Sequence, residues 1–345
     1  TGLTDHFVGD VELSFRRPAG VTWTGEFQGD VVSGWNLPLE IDRQVTFTTD
    51  ARGFRNRQAH AQADVVLLGD SYVEGWYVSD EETAAVVLEH RLGRPVSNLG
   101  VSGFGTLQEL AVLRRYGLPL RPKLVAWFFF EGNDLYDDQE FENALIYLRE
   151  HGRYETDPVQ PARFDWLRFQ RASFVRNAYR LVRRITHPLA PQALPPHGWY
   201  RDRTGVMHRL FYHNYAALPF TDYERERFET TTTAFREGVA LARERGVTIT
   251  LFFVPMKFRV YGEFCTFASD SPCRHWQPWA LPTRFAALCA EEDLDCVDLS
   301  GLMRDAAEAG QLLYAPEDSH WNAAGHAFVA EQVLAVWRRL GLDAR

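Results

Sequence analysis

The sequence has neither a long apolar run nor an excess of positive charge. Its longest hydrophobic stretch, around residues 124–130, is far shorter than the roughly 20 residues that a membrane-spanning helix requires, and it is typical of a buried strand. The formal net charge of the 345 residues is −9. Because a surface that binds phosphate backbones needs a basic excess, we expect no nucleic-acid partner. The hydrophobic fraction of 46% indicates a folded globular protein.

Cysteine is scarce, and the four residues present form two local pairs. Cys265 and Cys273 bracket a short loop-like stretch, whereas Cys289 and Cys296 lie at the end of a predicted helix and in the next strand. This spacing predicts two disulfides, with four unpaired thiols as the alternative. Disulfides indicate an extracytoplasmic protein, periplasmic or secreted. Because the sequence begins at Thr1 and not at Met, we also interpret the chain as processed or trimmed, so that any N-terminal signal or anchor is no longer in view.

Motifs for metals and nucleotides are also missing. His208 and His213 lack the compact spacing of a metal site, and no cysteine or acidic cluster accompanies them. No glycine-rich phosphate loop, internal repeat or low-complexity tract is present. We therefore expect no metal and no cofactor.

From residue 64 onward, strands and helices alternate. Short apolar runs predict five strands, at 64–69, 95–100, 123–130, 247–255 and 294–300. Helical periodicity and capping residues predict helices at 79–93, 106–117, 221–246 and 322–341. Five strands separated by helices indicate an α/β fold with a parallel sheet that is covered on both faces.

Two regions do not follow this alternation. Residues 1–63 have no helical period, and we interpret them as a β-rich N-terminal segment packed on a core domain over 64–345. Residues 137–220 form a long insertion rich in arginine and aromatic residues. Its proline-containing run at 187–198 predicts an extended or mobile loop.

Four polar loops are expected to meet at one edge of the sheet. Reactive groups of parallel sheets gather beyond the carboxyl ends of the strands, where this sequence has "GDS" (69–71), "NLGVSGFGT" (98–106) and "EGND" (131–134). A fourth polar cluster, "EDSHWN" (317–322), precedes the last helix and would fold back to the same edge. Chemistry that needs several distant side chains is therefore predicted here.

These loops contain the parts of a serine acyl-transfer site. Such a site needs a hydroxyl next to a base, a carboxylate that orients the base, and donors for the developing oxyanion. Ser71 supplies the hydroxyl, His320 the imidazole and Asp318 the carboxylate. The amides of Ser71 and Gly103 and the side chain of Asn133 are the candidate donors, and glycine at 103 allows close approach of the backbone.

The sequence here resembles the SGNH/GDSL hydrolase family over roughly 64–341. "GDSYVEG" is similar to the nucleophile block, "NLGVSG" to the glycine block, "GND" to the asparagine block and "DSHWN" to the final block. The resemblance implies that Ser71, Gly103, Asn133 and His320 take the four named roles. It also implies a three-layer α/β/α sandwich of flavodoxin-like type with a five-stranded parallel sheet.

Two positions depart from the family pattern. Many members place the Asp three residues before the His, where this sequence has Glu317. Asp318 lies two residues before the His, and its "D-x-H-W" block resembles the polysaccharide O-acetyltransferase branch. We prefer Asp318 as the orienting carboxylate, with Glu317 as the alternative. The second departure is Glu131, where many members carry Gly, and it would place a carboxylate near the site.

Several neighbouring residues have simpler roles. We interpret Asp70 and Asp134 as loop-bracing residues, His326 as structural and Trp127 as a core residue. Aromatic side chains suit sugar rings, and the possible substrate-binding residues next to the motifs are Trp321, Trp76 and Tyr77, of which Trp321 directly follows His320.

The insertion has a local charge opposite to that of the chain. Residues 160–220 hold ten Arg against two Asp, a balance of +8, and 163–185 predicts an amphipathic helix. This helix either packs on the core or places its arginines against an anionic glycan or a membrane surface.

Together these features predict a serine esterase that acts through an acyl-enzyme on acetyl or short-chain esters, with carbohydrate esters as the preferred class. The first alternative is a polysaccharide O-acetyltransferase that uses the same triad. The second is a non-catalytic carbohydrate-binding module that kept the fold.

Overall fold

The structure is a computed structural model. It describes five stretches of the chain: 7–27, 29–34, 43–151, 194–214 and 219–344. The predicted helix over 163–185 and most of the predicted loop over 187–198 lie outside these stretches.

The described residues contain strands throughout the chain, which we number in chain order: β1 Val8–Asp10, β2 Ser14–Arg16, β3 Thr22–Glu26, β4 Gln44–Thr48, β5 Val65–Leu68, β6 Val96–Asn98, β7 Leu124–Phe130, β8 His197–Arg201, β9 Met207–Phe211, β10 Thr248–Val254 and β11 Asp295–Asp298.

The α-helices are numbered in the same way: α1 Asp30–Gly34, α2 Ser71–Glu74, α3 Ala84–Leu92, α4 Thr106–Val112, α5 Asp134–His151, α6 Asp222–Arg243, α7 Lys257–Tyr261, α8 Leu281–Glu291, α9 Leu299–Glu308 and α10 Ala323–Arg339. None of these described helices combines the length and the apolarity needed to cross a membrane.

The central sheet has five strands in the order β11-β10-β7-β5-β6. All four neighbouring pairs are parallel, so every strand ends at the same edge. The five predicted strands are all present, and the parallel sheet confirms the predicted fold class. Their apolar runs form strands because both faces of the sheet are buried.

Alternate side chains of the strands enter two separate cores. Leu67 and Phe128 point to one face, where they pack with α3, α9 and α10. Leu68 and Trp127 point to the other face, where they pack with α4, α5, α6 and α8. This alternation follows from the two-residue period of a strand. The result is the three-layer α/β/α sandwich that the sequence predicts.

Antiparallel hairpins are added to this sandwich. The N-terminal segment forms β1–β2 and β3–β4, and the insertion contributes β8–β9. Leu13 and Phe54 of the N-terminal segment are buried in one of the sheet cores. Phe27 and Val45 pack with Tyr77, close to the loops at the carboxyl edge. The hairpins therefore bring residues from outside the sandwich to the edge where the polar loops lie.

Only one of the two predicted disulfides is formed. Cys289 and Cys296 are bonded, with their Cα atoms 6.2 Å apart. Cys265 and Cys273 are free, so the prediction of a second disulfide is wrong. The Sγ of Cys265 lies 3.0 Å from the hydroxyl of Tyr212, whereas the side chain of Cys273 is buried in a core beside the sheet.

Candidate active site

Ser71 lies at the point where β5 turns into α2. Asp70 caps the helix by accepting a hydrogen bond from the amide of Tyr72 at 2.9 Å, and Gly75 ends it with φ of 82°. Gly69 has no room for a side chain, because a Cβ there would lie 2.6 Å from Val73. The glycines flanking Ser71 in the sequence therefore have a steric explanation, and they hold its hydroxyl at the carboxyl edge of the sheet.

Three side chains from distant parts of the chain are in line at this edge. The Nε2 of His320 lies 2.7 Å from the Oγ of Ser71, and its Nδ1 lies 2.6 Å from Oδ1 of Asp318. The backbone amide of His320 donates to the same carboxylate oxygen at 2.8 Å. Asp318 is fully buried. His320 therefore contacts Ser71 through one ring nitrogen and Asp318 through the other, which is the geometry of a Ser-His-Asp triad.

The alternative carboxylate, Glu317, faces elsewhere. It accepts a hydrogen bond from the hydroxyl of Tyr77, whereas the contact to the imidazole is made by Asp318. These contacts favour Asp318 as the orienting residue.

Lys257 and Tyr72 donate hydrogen bonds to the loop that carries His320. The ammonium group of Lys257, which is buried, donates to the carbonyls of Ala315 at 2.9 Å and of Asp318 at 2.7 Å. The hydroxyl of Tyr72 donates to the carbonyl of Ser319 at 2.7 Å. These bonds hold the loop in place and thereby orient the imidazole. The donors are Tyr72, the residue after the nucleophile, and Lys257, the first residue of α7.

Burial and neighbouring charges shift the pKa values of His320 and Asp70. Burial alone would lower the pKa of His320, but the adjacent Asp318 carboxylate outweighs it and raises this pKa to about 9. Burial raises the pKa of Asp70 to about 6. The site therefore favours the imidazolium form of His320, which is the form that a general base reaches after accepting a proton.

The other two candidate oxyanion residues follow β6 and β7, the strands on either side of β5. Gly103 lies after β6 with φ of 79°, a conformation that favours glycine, and it is exposed. Asn133 directly precedes α5, and its side-chain amide donates to Asp137. This amide has two N–H groups, so one can donate to an oxyanion while the other keeps its bond to Asp137.

A comparison with known families gives a single assignment. Residues 67–328, well over half of the chain, match the GDSL-like lipase/acylhydrolase family. The chain belongs to this family. It is therefore a serine ester hydrolase of the GDSL type, as its sequence motifs predict. No curated protein matches the sequence.

Three of the matching solved structures share low sequence identity with the chain. An acetyl xylan esterase shares 10% identity at a TM-score of 0.41, covering 79% of this chain and 98% of its own. A lipase/acylhydrolase from Enterococcus faecalis shares 15% at 0.38, covering 79% and 94%. A GDSL-like lipase from Bacteroides thetaiotaomicron shares 14% at 0.37, covering 79% and 86%. Similarity at this level supports no conclusion about the substrate of the GDSL protein described here.

The three aromatic residues predicted to contact substrate lie in different environments. Trp321 is only 1% exposed and packs against Tyr72 and Phe128, so the prediction that it lines the pocket is wrong. Tyr77 is also buried, and its hydroxyl donates a hydrogen bond to Glu317. Trp76 is half-buried, with its ring centroid 6.4 Å from that of His320. Trp76 is therefore the remaining candidate for substrate contact.

The residues interpreted as structural have well-defined partners. Asp134 accepts from the amide of Phe130 at 2.7 Å, and the indole of Trp127 donates to Glu109 at 2.7 Å inside the core. His326 is buried, and burial lowers its pKa to about 3. Glu131 does not reach the site as a free carboxylate, because Arg259 binds both of its oxygens.

The sequence does not predict roles for Asp30 and His213. Asp30 contacts the His320 loop, and His213 lies 3.3 Å from Asp30. Asp30 lies in the N-terminal segment, before the start of the family match at residue 67, and His213 follows β9 in the insertion. Neither belongs to a recognisable motif, so no signal in the sequence identifies them.

Asp30, Asp318 and His320 also form a group that could hold a metal ion, since one donor atom of each lies within 4.8 Å of the others. Their atoms have other partners, however. The Nδ1 of His320 bonds to Asp318, and the carboxylate of Asp30 accepts two hydrogen bonds from Ser319. A hydrogen-bonded network accounts for this cluster better than a metal site does.

Proposed function

We propose that this GDSL protein hydrolyses acyl esters through a Ser71–His320–Asp318 triad and an acyl-enzyme intermediate. The observation that carries the proposal is the continuous chain of contacts from the hydroxyl of Ser71 through both nitrogens of His320 to Asp318, at 2.7 Å and 2.6 Å. A hydroxyl becomes a competent nucleophile when an oriented base takes its proton during attack. The assembled triad favours this reaction over a non-catalytic binding module.

The reaction has two balanced halves. Ser71 Oγ bonds to the ester carbonyl carbon while its proton moves to Nε2 of His320, and the imidazolium then protonates the departing alcohol as the carbon–oxygen bond breaks. In the second half, His320 takes a proton from water, whose oxygen attacks the acyl-enzyme. The proton then returns to Ser71 as the acid leaves. Asp318 keeps Nδ1 protonated and stabilises the imidazolium at both stages.

The oxyanion that forms in each half needs donors. We assign this role to the backbone amides of Ser71 and Gly103 and to the side chain of Asn133, on the basis of their places at the ends of β5, β6 and β7. Each donor acts only on the charge that develops in the transition state, so each contributes to the rate.

Acetyl or short-chain esters of carbohydrates are the proposed substrate class. A cavity of about 10 Å³ is lined by Tyr72 and Ser319, the neighbours of the nucleophile and of the base. This is about the space of one water molecule, and neither Ser71 nor His320 lines it, so the support for this substrate class is the D-x-H-W block that ends at Trp321. The cavity shares Phe258 with a groove of about 830 Å³ whose lining includes Trp276 and Arg274.

The position of this groove favours a substrate that extends beyond the ester. Its walls come from α7, from the chain that leads from α7 into α8, and from α9, which are elements that follow β10 and β11. An aromatic-lined groove suits the sugar rings next to an esterified hydroxyl.

The test is a series of p-nitrophenyl esters of increasing acyl length, assayed beside acetylated sugars with the wild type and Ser71→Ala. We expect activity that is highest for acetyl esters and is lost in Ser71→Ala, but not in the matched control Ser269→Ala, whose side chain is exposed. Equal activity of Ser71→Ala and the wild type would reject the proposal. Transfer of acetyl to an added sugar in preference to water would identify the O-acetyltransferase alternative.

The arginine-rich insertion gives a separate proposal, that residues 160–220 contact an anionic glycan or a membrane surface. Cosedimentation with anionic vesicles and with an anionic polysaccharide, at low and high salt, tests it. Absence of any salt-sensitive association would reject it.

A further inference from the structure

A second carboxylate lies beside the triad and belongs to the N-terminal segment. The backbone amide of Asp30 donates to Oδ2 of Asp318 at 2.7 Å. The side chain of Asp30 accepts hydrogen bonds from the amide of Ser319 at 2.7 Å and from its hydroxyl. Its Oδ2 lies 3.9 Å from Nδ1 of His320. Asp30 therefore contacts all three residues of the loop that presents the imidazole.

This placement is built into the fold. Val31 and Val32, the next two residues of α1, are buried against Phe211 at the end of β9. Gly29 is pressed against the loop, because a Cβ there would lie 2.3 Å from the carbonyl oxygen of Glu317. Close contacts on both sides of Asp30 thus fix its backbone relative to the triad.

Three basic side chains face Asp30. The Nε2 of His213 lies 3.3 Å from Oδ2 of Asp30, and the Nδ1 of His320 lies 3.9 Å from the same oxygen. Lys257 of α7 interacts electrostatically with Asp30. The neighbouring carboxylate of Asp318 accepts a hydrogen bond from the amide of Asp30. Burial would raise the pKa of Asp30, but the hydrogen bond from His213 and the charge of His320 outweigh it and lower this pKa. Asp30 is therefore ionised throughout the neutral range.

We propose that Asp30 is a positioning residue of the active site, and that it orients and electrostatically supports His320 from a segment outside the family match. This inference rests on the proposed triad. The Oδ2 of Asp30 is too far from Nδ1 of His320 to replace Asp318 as the hydrogen-bond partner. Asp30 therefore acts in two other ways. Its hydrogen bonds hold Ser319 and Asp318 in place, and its negative charge stabilises the imidazolium that forms when Ser71 loses its proton.

The consequence is a distinctive pH signature. A nearby anion raises the pKa of an imidazole, so Asp30→Asn should lower the pKa of His320 by about one unit. More of the base is then neutral at low pH, and the acid limb of kcat/KM moves to lower pH. A weaker base accepts the proton less readily, so the plateau should fall about three- to tenfold. A purely structural role would lower the plateau without moving the limb.

The experiment measures both quantities in the whole protein. The imidazole resonances of His320, assigned by their loss in His320→Gln, are titrated by NMR in the wild type and in Asp30→Asn, and kcat/KM for p-nitrophenyl acetate is recorded against pH. The matched control is Asp64→Asn, which removes a partly buried, Arg94-paired carboxylate at the opposite end of β5. His213 also faces Asp30, so the titration is repeated with His213→Gln as the common background.

We expect the His320 pKa and the acid limb to fall together in Asp30→Asn and to stay unchanged in Asp64→Asn. An unchanged His320 pKa in Asp30→Asn would overturn the proposal, as would a lower plateau with an unmoved limb. If Asp30→Asn loses its fold by circular dichroism, Asp30→Ser takes its place in the same titration. The NMR titration needs no activity, so failure of the triad itself is recognised separately, by the lack of any Ser71-dependent hydrolysis in the wild type.

Discussion

Ser71 Oγ and His320 Nε2 lie 2.7 Å apart although 249 positions separate these residues in the chain. The first follows a central strand of the sheet, and the second precedes the helix that closes the fold. Such a contact between a nucleophile and a base requires that both ends of the domain are folded. Activity should therefore report directly on the intact sandwich.

Replacement of Asp318 should show whether Asp318 or Glu317 is the carboxylate that orients His320. Asp318→Asn leaves the shape of the side chain but no longer holds His320 in the productive tautomer, and kcat should fall about 10⁴-fold on the scale known for this type of change in serine proteases. Glu317→Gln is the matched control and should stay within a few-fold of the wild type, because Glu317 bonds to Tyr77. Steady-state kinetics measure both. The reverse order of effects would make Glu317 the orienting residue.

The pH dependence should follow the imidazole. His320 must be neutral to accept the proton of Ser71. Burial lowers its pKa, but the carboxylates of Asp318, Asp30 and Asp70 outweigh burial and raise it to about 9. We therefore expect kcat/KM for an uncharged ester to fall tenfold for each unit of pH below this value, with a midpoint clearly above 6.5. Rates corrected for spontaneous hydrolysis provide the measurement, and a midpoint at or below 6.5 would contradict the role of Asp318.

The oxyanion role of Asn133 can be tested against a second asparagine, on the helix that follows it. Asn133→Ala should lower kcat by about 10²–10³-fold with little change in KM, since it removes one oxyanion donor. Asn143→Ala, at an exposed position of α5, should have no such effect. Kinetics are combined with thermal unfolding, because Asn133 also donates to Asp137. Equal kcat in the two variants would remove Asn133 from the oxyanion site.

The cysteine pattern predicts a definite thiol count. The denatured, unreduced protein should react at Cys265 and Cys273 only, and reduction should expose Cys289 and Cys296. Loss of this disulfide in Cys289→Ala should lower the free energy of unfolding by about 2 kcal/mol, the value expected for a short closed loop. Cys273→Ala is the control without a disulfide to lose. Four reactive thiols before reduction would contradict the assignment, and with it one argument for an extracytoplasmic location.

The sandwich and the triad geometry could be anticipated because their signals are local. Apolar runs such as 124–130 identify buried strands, and parallel strands necessarily end at one edge. The polar residues after each strand, Ser71 and Asn133 among them, are therefore brought to that edge by topology alone. His320 follows from the position of its loop before the last helix.

The rest depends on contacts that leave no local pattern. Asp30 meets Ser319 across 289 positions. Ser319 lies in the final motif, but nothing in the sequence around Asp30 marks that residue. Trp321 was predicted to face substrate because it follows His320, but its pairing with Tyr314 turns its ring into the core. The spacing of Cys265 and Cys273 permits a disulfide, yet the path of the loop between them places one thiol on Tyr212 instead.

The most direct test of the central claim is covalent labelling of the nucleophile. Incubation with a fluorophosphonate probe, followed by intact-mass measurement and peptide mapping, should show one adduct per chain, located on Ser71. The adduct should be absent in Ser71→Ala and formed much more slowly in Asp318→Asn. A stoichiometric adduct on another residue, or an unmodified Ser71 in protein that hydrolyses esters, would contradict the account.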